Sequence, residues 1–203
     1  MKNLLFILIF SVSIQISGQG DCSPFYPSGE GQIYTLHQYN KKDKLSTINE
    51  YTITDVSSGV IHLDMILKDD KGEEIISGQF EINCDNGETQ IDPKVLVPAG
   101  LLEQYESMEY TIEGNGMTYP ETLNVGQTLP EGEIFMKVDA GMMNMNIEIK
   151  MTDRKVEKME NITTPVGTFD CYVISYTNVL KMGIKKTNYS TQWIAEGVGM
   201  VKE

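Results

Sequence analysis

The sequence predicts an all-β protein made mainly of antiparallel strands, and three observations support this. Turn signals recur about every ten to fifteen residues along most of the chain. Several segments between these turns alternate apolar and polar residues, which is the period of a strand with one buried face. Asn86-Gly87 separates two such segments, and both residues tolerate the positive φ of a tight hairpin. Consecutive strands joined by short turns form an antiparallel meander.

The first half of the chain contains the clearest strand patterns. We expect strands at residues 33–40, 46–56, 60–68 and 74–84. Ile61, Leu63, Met65 and Leu67 share one face of the third segment. In the fourth, the shared face consists of Ile76, Gly78, Phe80, Ile82 and Cys84. A glycine within this face indicates a bulge or a close approach of neighbouring atoms.

A single helical pattern interrupts the strands. Pro98 precedes a stretch in which Leu101, Leu102, Tyr105 and Met108 have helical spacing, so one short helix is predicted within residues 99–108. A strand at 108–113 and a turn at 114–116 follow, and residues 120–130 form a loop with an extended piece at 123–125. Further strands are expected at 133–138, 142–152, 155–163, 170–181 and 185–194. The total is about ten to twelve strands.

The segment GMMNMNIEIKM, residues 141–151, raises the question of a metal site. Its alternation places Met143, Met145, Ile147, Ile149 and Met151 on one face, as in a strand that packs on a core. A Cu(I) site is disfavoured because these sulfurs lie among isoleucines and no histidine is near. The alternative to a solid core is a methionine-lined cavity for an acyl chain or another apolar ligand. Its candidate lining residues are Phe80, Ile82, Met143, Met145, Ile147, Ile149, Tyr172 and Ile174.

The N-terminal residues predict export from the cytoplasm. Lys2 is followed by an apolar run, and Gly18-Gln19-Gly20 supplies a small-residue cleavage site, so residues 1–20 have the layout of a signal peptide. Residues 21–203 then form one β domain. The apolar run is too short to span a membrane. Asp21 precedes Cys22 where a lipoprotein signal requires a small residue, which favours a soluble exported protein over a lipid-anchored one.

Charge excludes two classes of partner. The chain has 16 basic and 29 acidic residues, a net charge of −13. Such a chain repels phosphate backbones and anionic membrane surfaces, so no nucleic-acid partner is expected.

The three cysteines allow one disulfide in an oxidising compartment. Cys22 lies in an arm without a strand pattern, and Cys84 ends a strand at a hairpin that this arm could reach. We therefore favour Cys22–Cys84 among the three possible pairings. Cys171, flanked by Phe169, Tyr172 and Val173, has the setting of a buried, inert thiol.

The search for catalytic motifs finds none of the standard hydrolase, metalloprotease, redox or phosphate-binding patterns. His62 and Asp64 share a strand face that should point to water, so a solvated pair is favoured over a catalytic one. His37 with these two residues matches no zinc-ligand spacing. We expect no cofactor, no metal and no enzymatic activity.

Several segments resemble one family of exported bacterial β-proteins. They are TTPVGTFDCYVISY (163–176), WIAEGVGMVKE (193–203), CSPFYPSGEG (22–31), INCDNGETQID (82–92), NVGQTLPEGE (124–133) and DRKVE (153–157). Together they resemble the TapB-like family, which implies a strongly curved antiparallel sheet or half-open barrel in the cell envelope. The resemblance implies no agreed activity, so no catalytic residue is transferred. Relatives continue past Gly-Val-Gly through another strand or hairpin, so either this sequence is truncated at Glu203 or one sheet edge is unpaired.

These observations favour a non-enzymatic protein of the periplasm or cell surface whose concave sheet binds an apolar small molecule or a lipid chain. The first alternative is a protein–protein interaction or scaffold module that binds another envelope protein. The second is a hydrolase of an unrecognised class.

Overall fold

The structure is a computed structural model that describes residues 22–105, 107–139, 141 and 144–203. Eleven strands form one antiparallel sheet in chain order, and β1 and β11 do not pair to close it. This confirms the predicted all-β class and the strand number. The strands are β1 (Ile33–Tyr39), β2 (Leu45–Ser57), β3 (Val60–Asp69), β4 (Glu74–Asp85), β5 (Glu88–Ile91), β6 (Glu109–Tyr119), β7 (Gly132–Asp139), β8 (Asn144–Thr164), β9 (Gly167–Met182), β10 (Ile184–Ala195) and β11 (Gly199–Lys202).

The sheet curves around the N-terminal arm, residues 22–32. The Phe25 ring packs edge-on against Tyr172 of β9 with centroids 5.6 Å apart, and the Tyr26 hydroxyl lies 3.0 Å from that of Tyr34 on β1. Strands β1 and β9 are eight positions apart in the sheet order. In a flat sheet they would be about 38 Å apart, so only strong curvature lets adjacent arm residues reach both.

The concave face carries the core. The inward-facing residues of β3 are all buried, whereas their neighbours along the strand are half-buried, as the alternation predicts. Gly78 pairs regularly with Met65 and forms no bulge. A Cβ at Gly78 would lie 3.4 Å from the Phe80 ring, so the glycine leaves space for that ring.

The prediction of a turn at 114–116 was wrong. Strand β6 runs through these residues and bulges between Gly114 and Gly116. The backbone has φ values of 139° at Gly114 and 59° at Gly116, which glycine adopts easily. Asn115 holds the bulge to the following segment, because its side chain donates to the Glu131 carbonyl and accepts from the Glu133 amide.

Strand β8 joins two segments that were predicted as separate strands. It runs through Asp153 with register shifts on both sides of Lys155, and Asp153 has a φ of 55°. Met142 and Met143, the predicted start of the first segment, lie outside the described residues. The extended piece predicted at 123–125 belongs to no strand, although Thr128 nearby forms an isolated bridge with Lys155.

Two short strands and one short helix were not predicted. Strands β5 and β11 are each 4 residues long, too short for a visible alternation. The predicted helix is α2 (Ala99–Tyr105), and α1 (Pro93–Leu96) precedes it, with Asp92 accepting from the Lys94 amide at its start. Neither of these described helices is long enough to cross a membrane. The predicted signal peptide lies outside the described residues.

Candidate functional site

The described members of the predicted ligand-lining set lie in one continuous core on the concave face. Ile82, Ile147, Ile149 and Ile174 are buried in it. Phe80, Met145 and Tyr172 are partly buried and pack against it. Met143 lies outside the described residues. The structure therefore brings the described lining residues together as neighbours in a shared apolar layer.

This core also contains polar side chains that the sequence did not predict as a site, and we call them the tyrosine–arginine cluster. Its members come from the arm and from strands β1, β2, β6, β8, β9 and β10. They are Tyr26, Tyr34, Tyr51, Tyr119, Arg154, Tyr176 and Gln192.

Aromatic contacts join the tyrosines of the arm, β1, β2 and β6. The rings of Tyr34 and Tyr51 stack with centroids 4.8 Å apart. Tyr26 packs against Tyr119 at 6.1 Å, and its hydroxyl lies 3.0 Å from the Tyr34 hydroxyl. The arm thus contributes one tyrosine to a group otherwise provided by the sheet.

Arg154 enters the core through the irregularity in β8. The bulge at Asp153 turns the arginine inward, and the residue is 1% exposed. Residues of the β6–β7 connection hydrogen-bond to the outside of the bulge, including the Leu129 amide to the Arg154 carbonyl at 2.9 Å. The guanidinium Nη1 donates to the carbonyls of Pro130 at 2.6 Å and Thr118 at 3.2 Å. Arg154 therefore secures both ends of this connection.

Two polar atoms of the cluster have no hydrogen-bond partner among the described residues. They are Arg154 Nη2 and Gln192 Oε1, and both are buried. In the same described ranges no carboxylate lies within salt-bridge distance of the guanidinium. A buried charge without a paired charge is destabilising, so these unused groups need a physical explanation.

Burial dominates the electrostatics of the cluster. It raises the pKa of Tyr26, Tyr34, Tyr51 and Tyr176 above the ordinary value, and it raises the pKa of Tyr119 to about 12. Burial also lowers the pKa of Arg154, and the nearby Tyr119 and Tyr176 oppose that shift. At neutral pH the tyrosines are consequently uncharged hydroxyl donors around one arginine.

Glu203 places one carboxylate at the border of this cluster. The Tyr176 hydroxyl donates to Glu203 Oε1 at 2.5 Å, and the Glu203 charge also raises the pKa of Tyr119. The cluster can therefore accommodate a carboxylate beside its tyrosines. A guanidinium with an unused N–H group beside neutral tyrosine hydroxyls is suited to bind an anion.

The arm that covers the cluster is tied down at several points. Cys22 and Cys84 form a disulfide with Cα atoms 4.6 Å apart, which is the pairing favoured from the sequence. The Ser23 amide donates to Thr89 Oγ1 at 2.8 Å, and the Gly197 amide donates to the Pro24 carbonyl at 2.7 Å. Cys171 is a buried free thiol, and burial raises its pKa.

A second candidate site is an open cleft of about 470 Å³ between β2–β4 and the start of α1, and Phe80 of the predicted lining residues borders it. It contains His62, whose ring nitrogens lie 4.0 Å from Asp55 and 3.5 Å from Glu81. Asp64, the predicted partner of His62, instead accepts a hydrogen bond from Gln79. Within the described residues no group of three or more histidine, cysteine or carboxylate side chains could hold a metal ion. The His62 side chain is 40% exposed, so solvent reaches the imidazole.

The fold and the cluster define a class of protein: an open, strongly curved antiparallel half-barrel with a tethered arm across its concave side. The chain belongs to the DUF3108-like family, which matches residues 29–203. This family match does not test the resemblance to TapB-like proteins, which stays a prediction. No curated protein matches the chain.

Two solved structures have the same fold. One, from Bacteroides fragilis NCTC 9343, is provisionally described as an exported protein with a YmcC-like fold, and it matches with a TM-score of 0.71 and 23% identity over 89% of this chain and 90% of its own. The other, from Parabacteroides distasonis ATCC 8503, is provisionally described as a lipoprotein, with a TM-score of 0.70 and 24% identity over the same shares of the two chains. At these identities the similarity establishes the fold alone.

Proposed function

We propose that this chain is a non-enzymatic exported protein that binds an anionic amphiphile, with the anionic end at Arg154 and the apolar chain along the concave core. The observation that carries the proposal is the buried Arg154 Nη2, which has no acceptor among the described residues. An anionic ligand would supply that acceptor and would offset the buried positive charge.

The surrounding groups favour an anion over a neutral polar ligand. Tyr119 and Tyr176 are neutral at physiological pH because burial raises their pKa. The Tyr119 hydroxyl can donate to an anion without repelling it, whereas the Tyr176 hydroxyl already donates to Glu203. Arg154 adds the only formal positive charge of the cluster, so the complete set is biased towards donors.

The apolar residues beside the cluster suit a hydrocarbon chain. Ile149 and Met151 precede Arg154 on β8, and Ile174 lies two residues before Tyr176 on β9, all of them buried. Methionine side chains adapt their shape to an inserted chain at low energetic cost. This part of the proposal keeps the ligand-lining residues predicted from the sequence.

Ligand entry requires a movement of the arm in this proposal. The Tyr26 ring packs against Tyr119, and its hydroxyl lies 3.0 Å from the Tyr34 hydroxyl. The disulfide at Cys22 fixes one end of the arm, and backbone hydrogen bonds of Gly31 and Gln32 with Ile53 fix the other, so the segment between them would move.

We further propose that the mature chain is not lipid-anchored through Cys22. Its sulfur is bonded to Cys84, and one sulfur cannot form both this disulfide and a thioether to a diacylglycerol. This supports a soluble location in the periplasm or at the cell surface. It agrees with Asp21 before the cysteine, which a lipoprotein signal disfavours.

Native mass spectrometry of protein purified from its own host tests both proposals together. The expected spectrum contains the chain with a non-covalent amphiphile, and the intact mass of the stripped chain fits one disulfide and no acyl groups. Binding is then measured by displacement of a fluorescent fatty acid. A long-chain carboxylate and a lysophosphatidate identify the headgroup, and the long-chain alcohol of equal length shows how much the charge contributes.

Matched tyrosine variants make the binding test specific. Tyr119→Phe removes one hydroxyl of the cluster, and we expect the long-chain carboxylate to bind about tenfold more weakly, the effect of one hydrogen bond to a charged group. Tyr189→Phe makes the same chemical change at a side chain that is 87% exposed, and it should leave the affinity unchanged. Equal binding of the alcohol and the carboxylate would contradict the proposal.

A further inference from the structure

Gln192 is the second residue of the tyrosine–arginine cluster whose hydrogen bonding is incomplete. The residue is 4% exposed, and its Oε1 has no hydrogen-bond partner among the described residues. A buried amide oxygen without a donor is destabilising, and such atoms are rare in native chains. Arg154 leaves a donor unused within the same described ranges, so the cluster offers one unused donor and one unused acceptor.

The contact with Met200 fixes which end of the Gln192 amide is unused. Gln192 Nε2 lies 3.6 Å from Met200 Sδ and donates to it. A thioether sulfur accepts a hydrogen bond but cannot donate one. The reversed amide would place two acceptors together, so the amide oxygen is the atom that needs a partner. The group that would complete Gln192 is therefore a hydrogen-bond donor.

Arg154 and Gln192 meet at Tyr119. They come from β8 and β10, on either side of β9, and both are buried. Arg154 Nη1 donates to the carbonyl of Thr118, the residue before Tyr119. Gln192 lies beside the Tyr119 side chain, where its amide opposes the rise in the Tyr119 pKa. A single headgroup bound at Tyr119 can therefore contact both side chains.

The charges of the cluster favour a headgroup with one negative charge. Arg154 is the single arginine of the chain and the only positive charge in the cluster. A carboxylate carries one negative charge at neutral pH, whereas a phosphate monoester carries close to two, because its second pKa is about 6. One guanidinium balances the carboxylate, but it leaves the phosphate with uncompensated buried charge.

We propose that the amphiphile is a hydroxylated long-chain carboxylate, whose carboxylate accepts from Arg154 Nη2 and whose neighbouring hydroxyl donates to Gln192 Oε1. This inference rests on the proposed function, because it specifies the headgroup of the ligand at the same site. A plain fatty acid would complete Arg154 alone and would leave the amide oxygen without a donor. A site that hydrogen-bonds a hydroxyl selects against an analogue that lacks it.

Displacement of a fluorescent fatty acid by matched ligands tests the headgroup. The probes are hexadecanoate, its α-hydroxy and β-hydroxy derivatives, and the methyl ethers of both, which keep the oxygen and remove the donor. We expect one hydroxy acid to bind about tenfold more tightly than hexadecanoate, the effect of one added hydrogen bond, and its methyl ether to lose that gain.

The outcomes separate this inference from the proposed function. Equal affinity for hexadecanoate and both hydroxy acids, or an ether that binds as tightly as its hydroxy acid, would overturn the inference and leave the proposed function intact. Binding of lysophosphatidate without any carboxylate would overturn the carboxylate headgroup alone. If no anionic amphiphile binds, both fail.

Gln192→Leu locates the partner of the ligand hydroxyl. It removes the acceptor and keeps a side chain of similar size, so the variant should bind the hydroxy acid and hexadecanoate with equal affinity. Asn188→Leu makes a similar change at an exposed amide on the same strand, and it should retain the preference for the hydroxy acid. A preference that persists in Gln192→Leu would overturn the inference. The ether comparison uses the natural chain, so it decides the matter even if Gln192→Leu does not fold.

Discussion

At position 154 the chain buries its single arginine among neighbours that are charged and polar. Asp153 and Lys155 on either side are exposed, and the positive φ of Asp153 turns the intervening side chain into the core. A strict alternation of strand positions does not reveal such a bulge, because the bulge shifts the period within the strand. The arginine was therefore not predicted as a site residue, although the inward face of the preceding residues was predicted.

The contacts of Arg154 predict how much stability depends on it. Arg154→Met removes the donor to the Thr118 and Pro130 carbonyls, and it also removes a buried charge that lacks a paired carboxylate. We expect the free energy of unfolding to fall by about 1–3 kcal/mol, the cost of buried acceptors left without donors. Urea unfolding measures the change. Lys155→Met, at the exposed neighbouring position, should change stability by no more than about 0.5 kcal/mol.

A larger loss would contradict this account of Arg154. Breaking a buried ion pair by removing one partner costs about 3–5 kcal/mol, because the remaining charge is stranded. A loss at the upper end of that range for Arg154→Met would mean that a carboxylate depends on the guanidinium. The proposal of an anion site at Arg154 would then be incorrect.

Among the segments of the chain, the N-terminal arm has the weakest secondary-structure propensity. Its disulfide accounts best for its fixed position on the sheet. Residues 22–32 form no helix or strand, yet Phe25 and Tyr26 are buried in the core. The disulfide closes a sequence separation of 62 residues. Reduction should lower the free energy of unfolding by about 4 kcal/mol in the loop-entropy description.

Urea unfolding with and without a thiol reductant measures the contribution of the arm. The Cys22→Ser/Cys84→Ser variant is the control, since reductant should leave its transition unchanged. If reductant does not shift the transition of the natural chain, the disulfide does not restrict the unfolded state as expected. Proteolysis of the reduced chain should cut first within residues 22–32, where side-chain packing and a few hydrogen bonds hold a segment that belongs to no strand.

The longer elements differ in how far the sequence predicted them. Strands β2 to β4 alternate regularly, so their existence and buried faces were predicted. Strand β6 contains two glycines and an asparagine that are typical of a turn, but pairing with β7 on both sides of the bulge keeps it extended. In β8, pairing with β9 on both sides of a bulge likewise joins two segments that were predicted as separate strands. Tertiary pairing overrides local turn preference in both cases.

For the whole molecule, the class of fold was predictable and the site was not. Period-two patterns identify which residues face a core, and the turn spacing implies a meander. The tyrosine–arginine cluster combines residues from the arm and six strands, so its members are far apart in the chain and share no motif. The curvature that gathers them depends on how the arm packs across the sheet, and no local pattern encodes that arrangement.

The concentration of buried tyrosines predicts how the molecule responds to alkaline pH. Burial raises the pKa of Tyr26, Tyr34, Tyr51 and Tyr176 above 10.0, and that of Tyr119 to about 12. A tyrosine that ionises only in the unfolded chain makes unfolding more favourable as pH rises. Its stabilising contribution is complete below pH 10 and is lost as pH increases towards the folded pKa, by about 1.4 kcal/mol per pH unit for each tyrosine.

Urea unfolding at a series of pH values, with tyrosinate absorbance recorded in parallel, measures this loss. We expect stability to fall steeply above pH 10 and the absorbance of the cluster tyrosines to appear together with unfolding, because their ionisation requires the core to open. The Glu203 carboxylate beside Tyr176 increases the effect, and the lowered pKa of Arg154 opposes it only at the most alkaline values. Tyr51→Phe removes one buried hydroxyl and should make the decline less steep, whereas Tyr189→Phe should not. Complete ionisation of all tyrosines while the chain is still folded would show that solvent reaches the cluster freely, and the anion site would then be an open one.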